Sequence, residues 1–164
     1  MIFIGIKPSI NNIGIIVLDF LNGVYDSAIL KAEGGEEEKY AILARKLSEI
    51  CKVIKETFNH IVAIIEKPTK FADKKKFSRL LLLYGSYGVL YSVLSLHFNS
   101  IVSIVPRNTK VKLENAKISE HEIDALVTIF NFLKFSIGKN WYKNFKEFFQ
   151  TLKRESFFFK NKHI

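Results

Sequence analysis

The sequence predicts an α/β domain: a mixed five-stranded sheet flanked by helices, with three antiparallel strands at the N-terminus and two further parallel strands. Residues 1–31 read as short apolar runs separated by turn residues, residues 60–66 hold a continuous apolar run that ends on a carboxylate, and residues 101–105 are another short, mostly apolar run. Between these runs, residues 36–58 repeat apolar residues at three- and four-residue steps, the period of helices, and residues 80–98 are apolar nearly all round. A chain of 164 residues has the length of one domain and can bury a substantial core. We read residues 1–138 as that domain and 139–164 as a basic, aromatic C-terminal extension of it.

The first strand ends on one charged residue, Lys7. A lone charge at the end of a buried strand has its position fixed by the sheet while its head reaches a cleft. A second run begins at Ile15 and closes on Asp19, giving strand, turn, strand. Asn22-Gly23 is a two-residue turn signal, so residues 24–31 continue an antiparallel meander. The acidic, Gly-containing residues 33–38 suit the positive end of a helix dipole and mark a helix entry. From there Tyr40, Leu43, Leu47, Ile50, Ile54 and Phe58 recur at helical spacing, predicting an amphipathic helix laid on the sheet. The run 60–66 fits a buried parallel strand and ends on Glu66, a second lone charge at a strand terminus.

Residues 67–79 carry Lys67, Lys70, Lys74, Lys75, Lys76 and Arg79 against one acid, Asp73, with Phe71 among them. Beside a strand-end carboxylate, such a stretch suits a phosphate backbone and a stacked base, and it equally fits a solvated run of charge. Residues 80–98 are apolar nearly all round, from Leu80 to Phe98, with Gly85, Ser86, Gly88 and Ser92 as small residues. One side should lie on the sheet and the other on a partner, which makes a homodimer the expectation; coverage by the C-terminal segment is the alternative. Pro106 stops the strand 101–105, and Arg107, Lys110, Lys112 and Lys117 follow in a polar loop. Ser119 with Glu122 is a capping box that starts a helix, and His121 and Asp124 share one face of its first turn. The tail mixes Lys and Arg with Trp141, Tyr142, Phe145, Phe148, Phe149 and Phe157, Phe158 and Phe159, either packing on the core or binding nucleic acid.

A formal charge of +9 and a pI near 9.6 favour an anionic partner, nucleic acid ahead of an anionic membrane. No unbroken apolar run reaches the roughly eighteen residues of a spanning helix, and Met1 opens directly into a strand, so the chain reads as soluble and cytoplasmic. The single cysteine, Cys51, has no partner for an internal disulfide or a metal-ligand pair and reads as a core residue.

The motifs converge on a resemblance. Gly5-Ile6-Lys7-Pro8-Ser9 with Gly14 resembles the opening G-I-D-P-G…T-G of RuvC-type Holliday junction resolvases. Ile64-Ile65-Glu66-Lys67-Pro68 resembles their second acidic strand end, and Gly88-Val89-Leu90 falls where the family has a glycine in its dimer-facing helix. Val105-Pro106 with Lys110 and Lys112 is similar to the family's proline-then-lysine segment, and His121-Glu122-Ile123-Asp124-Ala125-Leu126 to its final motif. The order of elements is that of the RNase H-like fold, and the resemblance spans about residues 1–135.

That resemblance implies a homodimeric, metal-dependent endonuclease of branched DNA, the four-way junction, acting in recombination and repair. Its catalytic positions would be Lys7, Glu66, His121 and Asp124, and its DNA contacts Lys67, Lys70, Phe71, Lys74, Lys75, Lys76, Arg79, Arg107, Lys110 and Lys112. In such enzymes two divalent ions, Mg²⁺ or Mn²⁺, sit on oxygen-rich ligands; Glu66, His121 and Asp124 match that set. Lys7 departs from it, standing where the family has its first Asp. An ammonium has no lone pair for a metal, so Lys7 is expected to take the place of the metal and pair with Glu66 and Asp124. Two functions follow: a junction endonuclease, either active through an unusual metal geometry or inactivated by Lys7, or a catalytically silent relative that binds junctions without cutting. Actin-like ATPases and sugar kinases share the opening turn, but they need a second domain of the same fold to close over a nucleotide.

Overall fold

A computed structural model describes residues 1–69, 77–105, 119–137, 147–148 and 150–159. Strands β1 (Ile2–Lys7), β2 (Asn12–Asp19) and β3 (Val24–Lys31) are followed by helix α1 (Glu36–Thr57) and strand β4 (Ile61–Glu66). Helix α2 (Phe77–His97), strand β5 (Ile101–Ile104), helix α3 (Glu120–Ile137) and the short strand β6 (Lys153–Arg154) complete the order. The strands form one sheet in the order β5-β4-β1-β2-β3-β6. β1, β2 and β3 pair antiparallel, and β4, β5 and β6 join parallel to their neighbours. Among the described residues the sheet thus has six strands where five were expected; the extra one is two residues of the tail, too short to leave a periodic signal.

Alternation along each strand divides the core into two layers. Ile2, Ile4 and Ile6, with Ile13, Ile15 and Val17, face α1 and α2. Phe3, Ile16, Leu18, Tyr25 and Ile64 face α3, where Ala125, Leu126 and Ile129 meet them. Lys7 and Glu66 continue the parity of the second set, so both strand ends deliver their charges toward α3. Cys51 is buried in the first layer, and burial pushes its thiol up to about 12.

Local chemistry explains the element ends. Pro8, with no N–H to offer a ladder, follows the last residue of β1. The β2–β3 connection is longer than a two-residue turn: the Asp19 carboxylate accepts the Leu21 N–H at 3.2 Å and an amide N–H of Asn22 at 2.6 Å, and Gly23 has φ +65°. At the start of α1, Glu38 reaches back to accept the Gly35 N–H at 3.0 Å. The capping box of α3 forms as read, with the Ser119 N–H donating to Glu122 Oε2 at 2.8 Å and the Glu122 N–H to Ser119 Oγ at 3.3 Å.

Helix α2 begins three residues earlier than expected and buries Leu80, Ser86, Leu90, Val93 and Leu94. By length and composition it is long and apolar enough to cross a membrane, although Gly85, Ser86, Gly88 and Ser92 interrupt its apolar run; a core helix can have the same length and composition. Its Ser86 hydroxyl donates to the Ser9 carbonyl at 2.8 Å, and its Tyr84 hydroxyl to the Pro68 carbonyl at 2.9 Å. These bonds tie α2 to the segments that leave β1 and β4.

Candidate functional site

The site is assembled where β1 and β4 end side by side. Their parallel register pairs Ile6 with Ile65, which leaves Lys7 and Glu66 as neighbours one step further on. The Lys7 ammonium donates to Glu66 Oε1. It also lies 3.8 Å from Asp124 Oδ2, supplied by the first turn of α3. Side-chain exposure rises outward across the three, from 11% for Glu66 through 26% for Lys7 to 40% for Asp124, so the cluster opens to solvent on the α3 side. Burial pushes the Glu66 carboxyl above its ordinary range; the bond and charge of Lys7 offset part of that, and the nearby Asp124 adds to it.

Two glycines bring α3 close enough to complete the cluster. A Cβ at Gly14 would lie 2.0 Å from the His121 carbonyl oxygen, and one at Gly5 would lie 2.3 Å from the Ala125 carbonyl oxygen. The first turn of α3 therefore rests directly on the backbone of β1 and β2, and Gly14 is the register partner of Lys7 itself. The glycines of the opening motif thus serve close helix approach.

Glu122, on the adjacent side of that turn, is buried. Its Oε1 accepts the Ser27 hydroxyl at 2.6 Å and lies 3.3 Å from Arg154 Nη2, while its Oε2 takes the Ser119 N–H. Burial alone would raise its carboxyl, but the Ser27 and Ser119 hydrogen bonds and the Arg154 charge outweigh burial and hold it below the ordinary range. In the sequence Glu122 reads as the capping partner of Ser119 alone, and Ser27 and Arg154 carry no reading. The available signal was Asp26-Ser27, two polar residues in the middle of a strand, one facing each layer of the core.

Among the described residues, no three His, Cys, Asp or Glu side chains gather as metal ligands. The expected set of Glu66, His121 and Asp124 is instead represented by two carboxylates with an ammonium between them. At about 4 Å, a divalent ion and an ammonium repel by on the order of 8 kcal/mol at an effective dielectric near 20. The cluster with Lys7 in place therefore does not fit Mg²⁺ or Mn²⁺. Of the expected DNA contacts, Lys67 and Arg79 are exposed, Lys67 directly beyond Glu66. Lys70, Phe71, Lys74, Lys75, Lys76, Arg107, Lys110 and Lys112 lie outside the described residues, as do Trp141, Tyr142, Phe145 and Phe149. A separate cleft lined by Lys55, His60, His97 and Ser100 lies at the other end of β4, remote from Glu66.

No protein-family model matches the sequence, and no curated protein matches it. Solved structures do match the fold. One is described as T. thermophilus RuvC in complex with Holliday junction substrate: TM-score 0.60 and 13% identity, covering 83% of this chain and 94% of that one. A second, Thermus thermophilus RuvC, gives TM-score 0.53 and 12% identity, covering 83% and 95%. At such identity the likeness concerns the fold, and the chain has the RNase H-like α/β fold of these resolvase structures, with its sixth strand counted.

Proposed function

We propose that this chain binds branched DNA, the four-way junction, through the sheet end where Lys7, Glu66 and Asp124 meet, and that it does so without divalent metal. The carrying observation is the Lys7 ammonium bonded to Glu66 and 3.8 Å from Asp124. It leaves the cluster with one net negative charge instead of the three that an Asp at the same position would give, and it satisfies a buried carboxylate that would otherwise need a cation. Three further features support the DNA partner: the net charge of +9, the exposed Lys67 beside the cluster, and a structural neighbour in complex with a Holliday junction substrate.

The same reading extends to a homodimer through α2. On a helix of about 3.6 residues per turn, Phe77, Leu81, Gly88 and Tyr91 fall on one face. The three large side chains are exposed, and a Cβ at Gly88 would meet nothing within 4 Å. An apolar stripe with a bare glycine in it suits the close approach of a second copy of the helix.

A second reading, metal-dependent junction cleavage, draws on Glu66 and Asp124 sharing one cation position at the sheet end. Gel-shift and cleavage assays on synthetic four-way junctions, with EDTA or with Mn²⁺, separate the two readings. Under the binding reading, the native chain retards junctions equally in EDTA and Mn²⁺, prefers them to plain duplex, and leaves every strand intact. Equal affinity for duplex would remove branch recognition. Junction cutting in Mn²⁺ by the native chain, absent from a Glu66→Gln control, would establish the second reading instead.

A further inference from the structure

The tail crosses the outer edge of the sheet and grips both layers of the core. Before β6, the Phe148 ring lies 5.1 Å from Phe20, and Phe148 and Leu152 pack on the α3 side. Within it, the Lys153 N–H donates to the Gly23 carbonyl at 3.1 Å and the Glu155 N–H to the Tyr25 carbonyl at 2.9 Å. Beyond it, Phe158 is buried among the residues facing α1, and the N–H groups of Phe158 and Phe159 both donate to Asp26 Oδ2, at 2.8 and 2.7 Å. A segment held at Gly23, just before β3, and at Tyr25 and Asp26 within it has little freedom, so the side chains it presents are held with it.

One of those side chains is Arg154. It faces the α3 layer and meets Glu122 Oε1, the oxygen that also takes the Ser27 hydroxyl from β3. The other oxygen of Glu122 closes the cap on Ser119. Glu122 therefore joins the first turn of α3 to the β3–β6 edge, and two residues later the same turn supplies Asp124 to the Lys7 cluster.

We infer that Arg154 is a positioning residue for that cluster: acting through Glu122, it sets where the first turn of α3 lies and so holds the Asp124 carboxylate against the Lys7 ammonium. Its influence on the cluster passes through the buried Glu122 carboxylate. The planar guanidinium matters less than the cation, since one nitrogen makes the contact, so a lysine should serve in its place. The inference stands on the contacts of the folded chain and does not require the DNA reading.

The test uses the full chain and three variants, Arg154→Met, Arg154→Lys and Glu122→Gln. The readouts are the ¹⁵N–¹H resonance of the Lys7 ammonium, visible when that group is hydrogen-bonded, and amide exchange at Glu122 and Ile123. These two amides donate to Ser119 Oγ and the Ser119 carbonyl, and the Ala63 amide, bonded to the Ser100 carbonyl, is the control. Arg154→Met is expected to shift the Lys7 resonance and to raise exchange at Glu122 and Ile123 about tenfold over Ala63, with Arg154→Lys restoring both. Glu122→Gln, which keeps the side-chain shape, is expected to reproduce the Lys7 shift if Arg154→Met does not fold. The inference is overturned if the Lys7 resonance is unmoved in the folded Arg154→Met and Glu122→Gln chains. It is equally overturned if exchange at Ala63 rises in step with the rest, which would make Arg154 a general brace. Junction affinity is measured separately: a moved Lys7 resonance with unaltered junction binding upholds the positioning role and counts against the DNA reading alone.

Discussion

The Lys7 ammonium is bonded to the Glu66 carboxylate across the parallel β1–β4 pair, at the sheet end where both strands stop. Glu66 is nearly buried and its carboxyl is raised above the ordinary range by that burial, so the charged form depends on the cation beside it. Lys7→Met should therefore destabilise the fold by about 2 kcal/mol at neutral pH, the scale of a partly buried pair that loses one partner. A raised carboxyl contributes stability below the unfolded-state pKa, lost as pH rises through the folded value. Removing Lys7 raises Glu66 further, so the deficit of the variant should be large at pH 8 and shrink towards pH 4. Urea unfolding at the two pH values measures this, and a deficit that stays constant would mean that Glu66 does not carry the coupling.

Gly14 makes a comparably sharp prediction. The Cβ introduced by Gly14→Ala would lie 2.0 Å from the His121 carbonyl oxygen and 2.4 Å from its carbon, backbone atoms that no rotamer change can move aside. The first turn of α3 must lift, taking Asp124 away from Lys7. The expected cost is about 3 kcal/mol, at the upper end for overpacking, with the Lys7 ammonium resonance shifted in whatever folded fraction remains. Stability within about 0.5 kcal/mol of the parent would show that the turn does not rest on the β2 backbone.

Much of this architecture is legible in the amino-acid sequence, because it depends on periods and punctuation. The amphipathic spacing of α1, the apolar runs of β4 and β5, and the Ser119–Glu122 cap each carry their own signal, whereas the pairing of Lys7 with Glu66 and Asp124 is expected through the family resemblance, with an ammonium standing at a metal position. What escaped the reading depends on tertiary contacts. β6 is two residues recruited by β3, and nothing in Lys153-Arg154 distinguishes a strand from a solvated loop. Glu122 points off the His121/Asp124 face, and its importance appears only once Ser27 and Arg154 arrive from other elements. The glycines of the opening motif were read through the family resemblance, whereas their physical work is to let α3 touch the sheet.

The exposed face of α2 predicts association. If Phe77, Leu81, Gly88 and Tyr91 meet a second copy of the helix, Leu81→Glu should place a charge in an apolar contact and convert a dimer to a monomer. Sedimentation velocity at micromolar concentration reads this directly. The parent should sediment near 38 kDa, twice the 18.9 kDa chain, and the variant near 19 kDa. A parent that sediments as a monomer would remove the dimer from the proposed function, leaving the Lys7 cluster unaffected.

Asp26 predicts how strongly the tail is held. Its carboxylate is buried and accepts three main-chain N–H groups, from Ser27 at 2.9 Å and from Phe158 and Phe159 at 2.8 and 2.7 Å. Asp26→Asn keeps the shape but replaces one acceptor oxygen by an NH₂ group, which must either face N–H donors or lose its own partner in the core. The expected loss is about 2 kcal/mol, because hydrogen bonds to a charged acceptor are roughly twice as strong as neutral ones. The loss should also be local: amide exchange at Phe158 and Phe159 should rise well ahead of exchange in β1 and β4, with Arg154 loosening as its segment does. Uniform acceleration across the sheet would mean that the tail and the core open as one unit, and Asp26 would then be a determinant of global stability rather than the latch on which the strap depends.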